Sequence, residues 1–201
     1  MKSKIKATIG SIIFILAAFL YAHIAKTTAI YDKEVDTSEY GNTGALIETE
    51  VCQEFVCQEN SLDAIRIKCT LNGNPQNTFL LYTLEDLDEN KVVAEGRVDA
   101  GDAKITRMFE FRFDTVENTA GKHYRFNVWP EGASENGALG FAFERKVEEN
   151  TNMLLNDEDI EGTLILKMVT DRFDLETFVV VLIFGVYIVF FFNFLYKLFR
   201  Q

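Results

Sequence analysis

Two long runs of uncharged, mostly apolar residues lie near the ends of the chain. The first covers residues 7–25 and the second residues 178–195, and neither contains Lys, Arg, Asp or Glu. An α-helix rises about 1.5 Å per residue, so the first run spans roughly 28 Å, close to the thickness of the hydrocarbon core of a bilayer. The pattern therefore predicts two transmembrane α-helices, over residues 7–26 and 175–196.

The charges beside these runs predict their orientation. Three lysines precede the first run, and Lys197 and Arg200 follow the second. Basic residues that flank a transmembrane helix stay in the cytoplasm, so residues 1–6 and 197–201 are expected there as short tails. The region between the helices is then extracytoplasmic, in a two-pass protein of the cell membrane. The first run also fits a cleaved signal peptide, with a small-residue site at 27–29, and this alternative stays open.

The region between the helices shows the features of β-strands. β-Branched and aromatic residues alternate with polar ones, most clearly over 109–113 and 124–129, and such alternation places the apolar side chains on one face of a strand. Strands are predicted over 48–58, 62–71, 78–84, 91–98, 105–114, 122–129, 138–145 and 161–169. This set predicts a mainly β fold, a jelly-roll-like antiparallel β-sandwich over residues 48–170.

An immunoglobulin-like sandwich is the alternative fold. Its usual order places a Trp between two cysteines, but all three cysteines of this chain precede Trp129. Residues 27–47 are polar, and we expect them to form a linker between the first helix and the sandwich.

Charge divides the chain in the same way. Residues 27–174 carry 14 Lys and Arg against 30 Asp and Glu, a net charge of −16, whereas the two ends together carry +5. An acidic region of this kind repels phosphate, which argues against binding of nucleic acid. Aromatic residues make up 13% of the chain, which argues against intrinsic disorder.

The scarcity of candidate nucleophiles and general bases argues against an enzyme. The two histidines are His23, in the first predicted helix, and His123, in a predicted turn, and neither accompanies a Gly-x-Ser-x-Gly elbow. A glycosidase needs two carboxylates about 5–9.5 Å apart in a cleft, and no such pair can be selected from so many acids. We therefore predict that the protein is not an enzyme.

The three cysteines are Cys52, Cys57 and Cys69, and an odd number leaves at least one thiol unpaired. Buried free cysteines that pack as small apolar residues are one interpretation. A disulfide between Cys57 and Cys69, on strands joined by a short loop, is the other. The Cys-x4-Cys spacing without a nearby His does not indicate zinc.

Aromatic and polar residues on two predicted strands suggest a ligand site. Trp129 is the only Trp, and it ends a strand before a Gly-rich loop. Tyr82 and Tyr124 are further rings for stacking on a sugar. Core packing is the alternative for all three aromatic residues, Trp129 included, and is favoured for Tyr124. Arg125 and Asn127 lie on the face opposite Tyr124 and are candidate polar partners. The predicted ligand-binding set is Trp129, Tyr82, Arg125 and Asn127.

Two acidic turns supply the oxygen ligands that Ca²⁺ prefers. The candidates are Asp86, Asp88, Asp157 and Asp159. Neither turn has the spacing of an EF-hand, and a solvated acidic loop is the alternative. A structural calcium ion is the one cofactor considered, and no other is expected.

A succession of motifs along residues 48–145 resembles a known family. The run is similar to the extracytoplasmic β-sandwich modules of bacterial membrane proteins in cell-surface polysaccharide and glycosyltransferase systems, which are themselves similar to carbohydrate-binding jelly rolls. The resemblance implies a setting in the bacterial cell envelope. Its motifs are Gln53-Glu-Phe55, Leu62-Asp-Ala-Ile-Arg-Ile67, Phe79-Leu-Leu-Tyr-Thr-Leu84, Asp88-Glu-Asn-Lys-Val-Val-Ala94, Phe109-Glu-Phe-Arg-Phe113 and Thr119-Ala-Gly-Lys-His-Tyr124.

Topology and resemblance together lead to two functional hypotheses. The first is a membrane-anchored extracytoplasmic β-sandwich that binds or positions a cell-surface glycan beside polysaccharide-handling membrane machinery. The alternative is a non-catalytic accessory or assembly subunit that docks onto a multi-spanning membrane enzyme without a ligand of its own. The expected partners are therefore a glycan or a membrane-embedded protein, together with the membrane.

Overall fold

A computed structural model describes residues 2–104, 107–134 and 137–199, with the backbone alone for residues 2–7, 24, 71 and 72. Arg200 and parts of both predicted tails lie outside these residues, as do the first two residues of the strand predicted over 105–114. The chain divides into two compact units. The β unit comprises Thr27–Thr170, and the helical unit is formed by the two ends of the chain.

The helical unit contains α1, Lys2–Tyr21, and α2, Leu175–Phe199. α2 is long and apolar enough to cross a membrane, and within α1 a shorter apolar stretch covers Thr8–Tyr21. The described residues therefore provide one candidate membrane span, the C-terminal helix, and the two-pass topology stays a prediction. The two helices touch where Phe14 packs against Gly185, a position at which an added Cβ would collide with the Phe14 ring.

The first helix ends earlier than the pattern predicts. It ends at Tyr21 rather than at residue 26, and a strand begins at His23. The His23 Nδ1 atom lies 2.9 Å from the carbonyl oxygen of Phe19, one of the carbonyls left without a partner at a helix C-terminus. The two threonines that follow are β-branched residues, which favour an extended backbone.

Thirteen strands are assigned among the described residues. Two of the connections between strands contain a short 3₁₀ turn, Thr37–Glu39 and Ala100–Asp102. The strands are β1 His23–Ala29, β2 Gly41–Asn42, β3 Val51–Val56, β4 Ser61–Gly73, β5 Phe79–Asp86, β6 Lys91–Asp99, β7 Met108–Glu117, β8 His123–Glu131, β9 Gly137–Glu144, β10 Asn152–Leu155, β11 Glu158–Ile160, β12 Thr163–Leu164 and β13 Leu166–Phe173.

The strands form two antiparallel sheets, which confirms the predicted mainly β class. The six-stranded sheet has the order β11-β10-β3-β8-β5-β6. The seven-stranded sheet has the order β1-β13-β4-β9-β12, with β2 paired to β9 and β7 paired to β4. Because β8 lies between β3 and β5, both of its edges are occupied by neighbours over most of its length.

Buried side chains from both sheets form one hydrophobic cluster. On β5 every second residue is buried, namely Leu80, Tyr82 and Leu84. Phe111 of the seven-stranded sheet meets Phe126 of the six-stranded sheet with ring centroids 5.2 Å apart. Full burial of one such ring contributes roughly 1.5–3 kcal/mol, so these contacts hold the two sheets together.

The segment predicted to be a linker is instead part of the β unit. Residues 27–47 contribute the end of β1 and all of β2, which pairs with β9. Leu46 is fully buried, and its backbone N–H donates to the carbonyl oxygen of Leu139 at 2.7 Å. A few well-spaced apolar residues are sufficient to join this polar segment to the core.

Candidate functional site

Three of the four predicted ligand residues lie on the same face of β8. Tyr124, Phe126 and Val128 of this strand are buried in the hydrophobic cluster. Successive side chains of a strand point to opposite faces, so Arg125, Asn127 and Trp129 lie on the face turned away from the core. We call this surface the outer face of the six-stranded sheet.

Tyr82, the fourth predicted ligand residue, lies in the core instead. Only 3% of its surface is exposed. Its ring stacks on Phe126 with centroids 5.8 Å apart and meets Phe111 edge to face at 5.4 Å. The hydroxyl donates to the backbone carbonyl of Arg112, which satisfies its one polar group. Tyr82 is therefore a packing residue and is removed from the site.

The strand register surrounds the three outer residues with polar neighbours. Arg125 lies opposite Glu54 on β3 and Glu85 on β5, while Asn127 lies opposite Cys52 and Thr83. Residues directly opposite in an antiparallel pair share a face. The outer face consequently carries rows of polar groups that cross the strands beside Trp129.

Arg125 is held in place by two carboxylates. Its Nε and Nη2 atoms donate to Oε1 of Glu54 at 3.0 and 2.6 Å, and Nη1 lies 3.9 Å from Oε2 of Glu85. The hydrogen bonds with Glu54 raise the pKa of Arg125. The guanidinium is therefore charged and fixed in orientation, as a binding residue requires.

Asn127 carries an unsatisfied acceptor. Its side-chain Nδ2 donates to Oγ1 of Thr83 at 3.1 Å. Its Oδ1 atom is buried and has no hydrogen-bond partner among the described residues, and 7% of the residue is exposed. A buried polar atom without a partner costs about 1–3 kcal/mol, and this oxygen is enclosed by its neighbours, so the cost is one to the stability of the sheet.

Cys52 lies beside Asn127 in surroundings that disfavour its thiolate. Burial, with a contribution from Glu50, raises the pKa of its thiol to about 12, and the reactive form of a cysteine is the thiolate. Cys57 and Cys69 are also buried and free. This arrangement agrees with the interpretation of the cysteines as small apolar residues and not with the alternative disulfide.

Trp129 borders a cavity at its end of the outer face. The cavity has a volume of about 450 Å³ and is lined by Glu48, Glu50, Trp129, Pro130, Asn156 and Asp157. One wall is the turn between β10 and β11, in which Asn156 and Asp157 both adopt the left-handed conformation, with φ of 51° and 64°. Asn156 fastens this turn to β3, since its Oδ1 accepts from the Glu50 N–H at 2.9 Å.

Of the calcium candidates, Asp86 and Asp88 already have protein partners. Oδ2 of Asp86 accepts from Nζ of Lys122 at 2.8 Å, and Oδ2 of Asp88 accepts from the His123 N–H at 3.0 Å. Burial acts to raise the pKa of Asp86, but the hydrogen bonds from Lys122 and the Glu89 N–H outweigh it, and the pKa is lowered. This carboxylate belongs to an ion pair that closes the β5–β6 turn.

The two aspartates of the second acidic turn lie in different surroundings. Oδ1 of Asp159 lies 3.4 Å from Nδ2 of Asn152, whereas Asp157 faces the cavity beside Trp129. Within the described ranges, no three His, Cys, Asp or Glu side chains are grouped so as to hold a metal ion. Asp157 is therefore a residue of the cavity wall.

No protein family matches the chain, and no curated protein has a matching sequence. Among solved structures, the chain is similar to the clostridial cysteine protease Cwp84 after propeptide cleavage, with a TM-score of 0.45, 12% identity and coverage of 74% of this chain. It spans 40% of the length of that protease chain. The flagellar cap protein FliD from Escherichia coli gives a TM-score of 0.17 and 10% identity, with 86% of this chain and 66% of that chain covered. Similarities of this size define neither a family nor an activity.

Proposed function

We propose that this protein is a non-catalytic, membrane-anchored jelly-roll module that binds or positions a cell-surface glycan on the outer face of its six-stranded sheet. The observation that supports this best is the grouping of Trp129, Asn127 and Arg125 on one strand face, beside a cavity that Trp129 lines. Small-ligand sites typically combine aromatic side chains with a few fixed polar groups, and this face has both.

The chemistry of the face suits a carbohydrate. The indole of Trp129 offers a flat apolar surface to the C–H face of a pyranose. The fixed guanidinium of Arg125 is partly exposed and can donate to a ring hydroxyl. Alternate residues of a strand are about 6.8 Å apart, so the three side chains cover roughly 14 Å, a length that accommodates several sugar units.

The anchor in this proposal is the helical unit. α2 is apolar along its length and ends beside Lys197, as expected for a helix whose C-terminal end faces the cytoplasm. With α1 as a second span, the acidic β unit would be extracytoplasmic. This arrangement agrees with the resemblance to envelope modules and would present the outer face to surface polysaccharides.

Glycan binding by the full chain tests the proposal. We expect wild-type protein in nanodiscs to bind members of a bacterial glycan array. Trp129→Ala should raise the dissociation constant about tenfold or more, equivalent to a loss of at least about 1.4 kcal/mol of binding free energy. Tyr40→Ala is the matched control, because Tyr40 is a partly exposed ring beside Lys68 of the seven-stranded sheet. Binding that Trp129→Ala leaves unchanged would contradict this site.

One observation favours a second candidate, the accessory subunit. No residue of α2 is buried, and its exposed residues include the aromatic series Phe184, Tyr187, Phe190, Phe191, Phe192 and Phe194. These rings would form the contact surface for a membrane-embedded partner. Replacement of residues 178–195 by leucines should then abolish co-purification of that partner in mild detergent. A glycan-binding module that acts alone would keep its glycan affinity after the same replacement.

A further inference from the structure

An apolar groove runs between the two helices of the helical unit and has a volume of about 860 Å³. One wall comes from α2, where six residues between positions 182 and 190 line it. The wall from α1 is formed by Gly10, Ser11, Phe14 and Ile15. A Cβ added at Gly10 would meet no atom within 4 Å, so the absence of a side chain there keeps this part of the groove open.

The groove lies toward the N-terminus of α1 and the C-terminus of α2. At the opposite end of the unit, the Asp174 N–H donates to the carbonyl oxygen of Ala22 at 2.8 Å. Farther from this junction, Phe14 packs against Gly185. The two helices are therefore antiparallel, and Gly10 lies beyond the Phe14 contact, at the side where α1 begins and α2 ends.

Both walls of the groove continue into polar and basic positions. Residues four apart in a helix share a face. Lys6 precedes Gly10 by four residues on α1, whereas Asn193 and then Lys197 follow Val189 of the groove on α2 at the same spacing. The sequence has no Asp or Glu before residue 27 or after residue 176. We call this part of the helical unit the basic end.

The apolar stretch of α1 is too short to keep these lysines away from a bilayer. It covers Thr8–Tyr21, about 21 Å of helix at 1.5 Å per residue, whereas the hydrocarbon core is about 30 Å thick. As a span, α1 therefore brings Lys6 to the inner edge of the headgroup layer or below it. An unpaired charge at that depth is costly, and a negatively charged partner there offsets the cost.

The charge of the basic end decides which partner the groove suits. An apolar groove alone selects no particular lipid, because the acyl chains around it are equally apolar. Basic pockets between transmembrane helices on the cytoplasmic side bind anionic headgroups. A third helix of purely apolar character would fill the groove but leave the positive charge without a partner. A lipid with a negative headgroup meets both requirements at once.

We propose that the helical unit binds one anionic phospholipid, with an acyl chain in the groove and the phosphate at the basic end. This inference rests on the membrane anchor of the proposed function and does not depend on the glycan. Asn193 lies where the groove meets the basic end, at the level of the ester groups of the lipid.

Two lipids that differ only in headgroup charge provide the test. The full chain in mild detergent is mixed with phosphatidylglycerol and phosphatidylcholine of identical acyl chains, and the complexes are measured by native mass spectrometry. We expect phosphatidylglycerol to bind at least about tenfold more tightly, since each basic residue near a headgroup adds to the attraction. Inorganic phosphate should not displace the lipid, because it brings no acyl chain.

Lysine variants test the basic end. Lys6→Gln should lower the preference for phosphatidylglycerol about fivefold. Lys4→Gln is the matched control, because it removes the same charge from the same helix two residues away, on a different face. It should change the preference less than about twofold. Equal effects of the two substitutions would contradict a phosphate placed by the groove.

A second pair of variants tests the groove. Gly10→Leu places a side chain in the open part of the groove and should weaken binding of both lipids about tenfold. Ile12→Phe is the matched control, because Ile12 is exposed on α1 and does not line the groove. Lipid binding that Gly10→Leu leaves unchanged would contradict this position of the acyl chain.

The remaining outcomes separate this inference from the proposed function. Equal binding of the two lipids by the wild-type chain would overturn the inference and leave the glycan site standing. Selective lipid binding by a chain that binds no array glycan would overturn the glycan function alone. Release of the chain from membranes by alkaline carbonate would overturn the anchor and this inference together.

Discussion

The outer faces of the two sheets use charge in different ways. On the seven-stranded sheet, Glu110 is paired with Arg66 at 2.6 Å and with Arg112 at 3.0 Å, and Lys68 lies 4.8 Å from the centre of the Tyr40 ring. On the six-stranded sheet, Arg125 is paired with Glu54 in the same way. Within the described residues, however, the cavity carboxylates Glu48, Glu50 and Asp157 have no cationic partner, and Oδ1 of Asn127 has no donor.

This difference separates a structural face from a binding face. Paired charges satisfy one another and contribute modestly to stability. Unpaired charges and a buried unsatisfied acceptor cost stability, and proteins retain such costs at functional sites. On the seven-stranded sheet, substitutions of the paired charges should therefore lower the free energy of unfolding and leave glycan binding unchanged. On the six-stranded sheet, substitutions at the proposed site should weaken glycan binding and leave the free energy of unfolding unchanged.

The largest effect is expected in the core that supports both faces. Phe111 is fully buried and contacts the rings of Tyr82, Phe126 and Phe141. Phe111→Ala should lower the free energy of unfolding by about 3–5 kcal/mol, measured by urea denaturation. Both sheets should unfold together in one transition. Unfolding in two separate transitions would contradict a core shared by the sheets.

A smaller loss of stability is expected on the seven-stranded sheet. Glu110→Ala breaks two ion pairs whose side chains are about one-third to one-half exposed, so solvent screening limits the cost to about 1 kcal/mol or less. Glycan affinity should be unchanged in calorimetric titrations. A loss of affinity in this variant would show that the seven-stranded sheet takes part in binding.

The opposite pattern is expected for Asn127. Asn127→Ala removes the unpartnered oxygen, so the free energy of unfolding should stay the same or rise by about 1 kcal/mol. Glycan affinity should fall, because Asn127 lies between Arg125 and Trp129 on the proposed binding face. Destabilisation of more than about 2 kcal/mol would instead indicate that the amide is a structural group.

The smallest effect is the response to acid, which differs in sign between the faces. The pKa of Glu50 is raised by burial and by Asp157, so its ionised form destabilises the fold, and this cost disappears as the pH falls through the raised value. Glu50→Gln should therefore stabilise the protein at pH 7 by about 0.5 kcal/mol or less, and the gain should vanish in acid. A gain that persists at low pH would contradict a charge effect.

For Glu110 the sign is reversed. Burial acts to raise its pKa, but hydrogen bonds from Arg66 and Arg112 outweigh this and lower it. The stabilisation by this carboxylate is complete above the ordinary Glu pKa of about 4.3 and is lost as the pH falls through the lowered value. Glu110→Gln should therefore destabilise at pH 7, with a difference from wild type that closes below about pH 4 in thermal melts.

Local periodicity predicts the strands and the face of β8 well. The alternation over 124–129 assigns Tyr124 and Phe126 to the core and Arg125 and Asn127 to the opposite face, as the structure has them. The same alternation also assigns Tyr82 to the core, because it is in phase with Leu80 and Leu84. All three residues are buried in the structure. A tyrosine in phase with two leucines is better interpreted as a core residue.

The cavity lies beyond the reach of local patterns. Its walls come from the entry to β3, the end of β8 and the β10–β11 turn, and Glu50 and Asn156 are brought together across 106 residues of sequence. The linker prediction for residues 27–47 is wrong for a related reason. The segment is held by backbone pairing with β9, at β2 and at Leu46. Its few apolar residues show no regular spacing that would predict this pairing.

The fluorescence of Trp129 tests the central claim most directly, because it is the only Trp in the chain. The intact protein in nanodiscs is titrated with the glycan that binds best on the array, while the indole emission is recorded beside the calorimetric heat. The proposed site predicts a saturable change in emission whose dissociation constant equals the calorimetric one. Calorimetric binding that leaves the emission unchanged would contradict a site at Trp129.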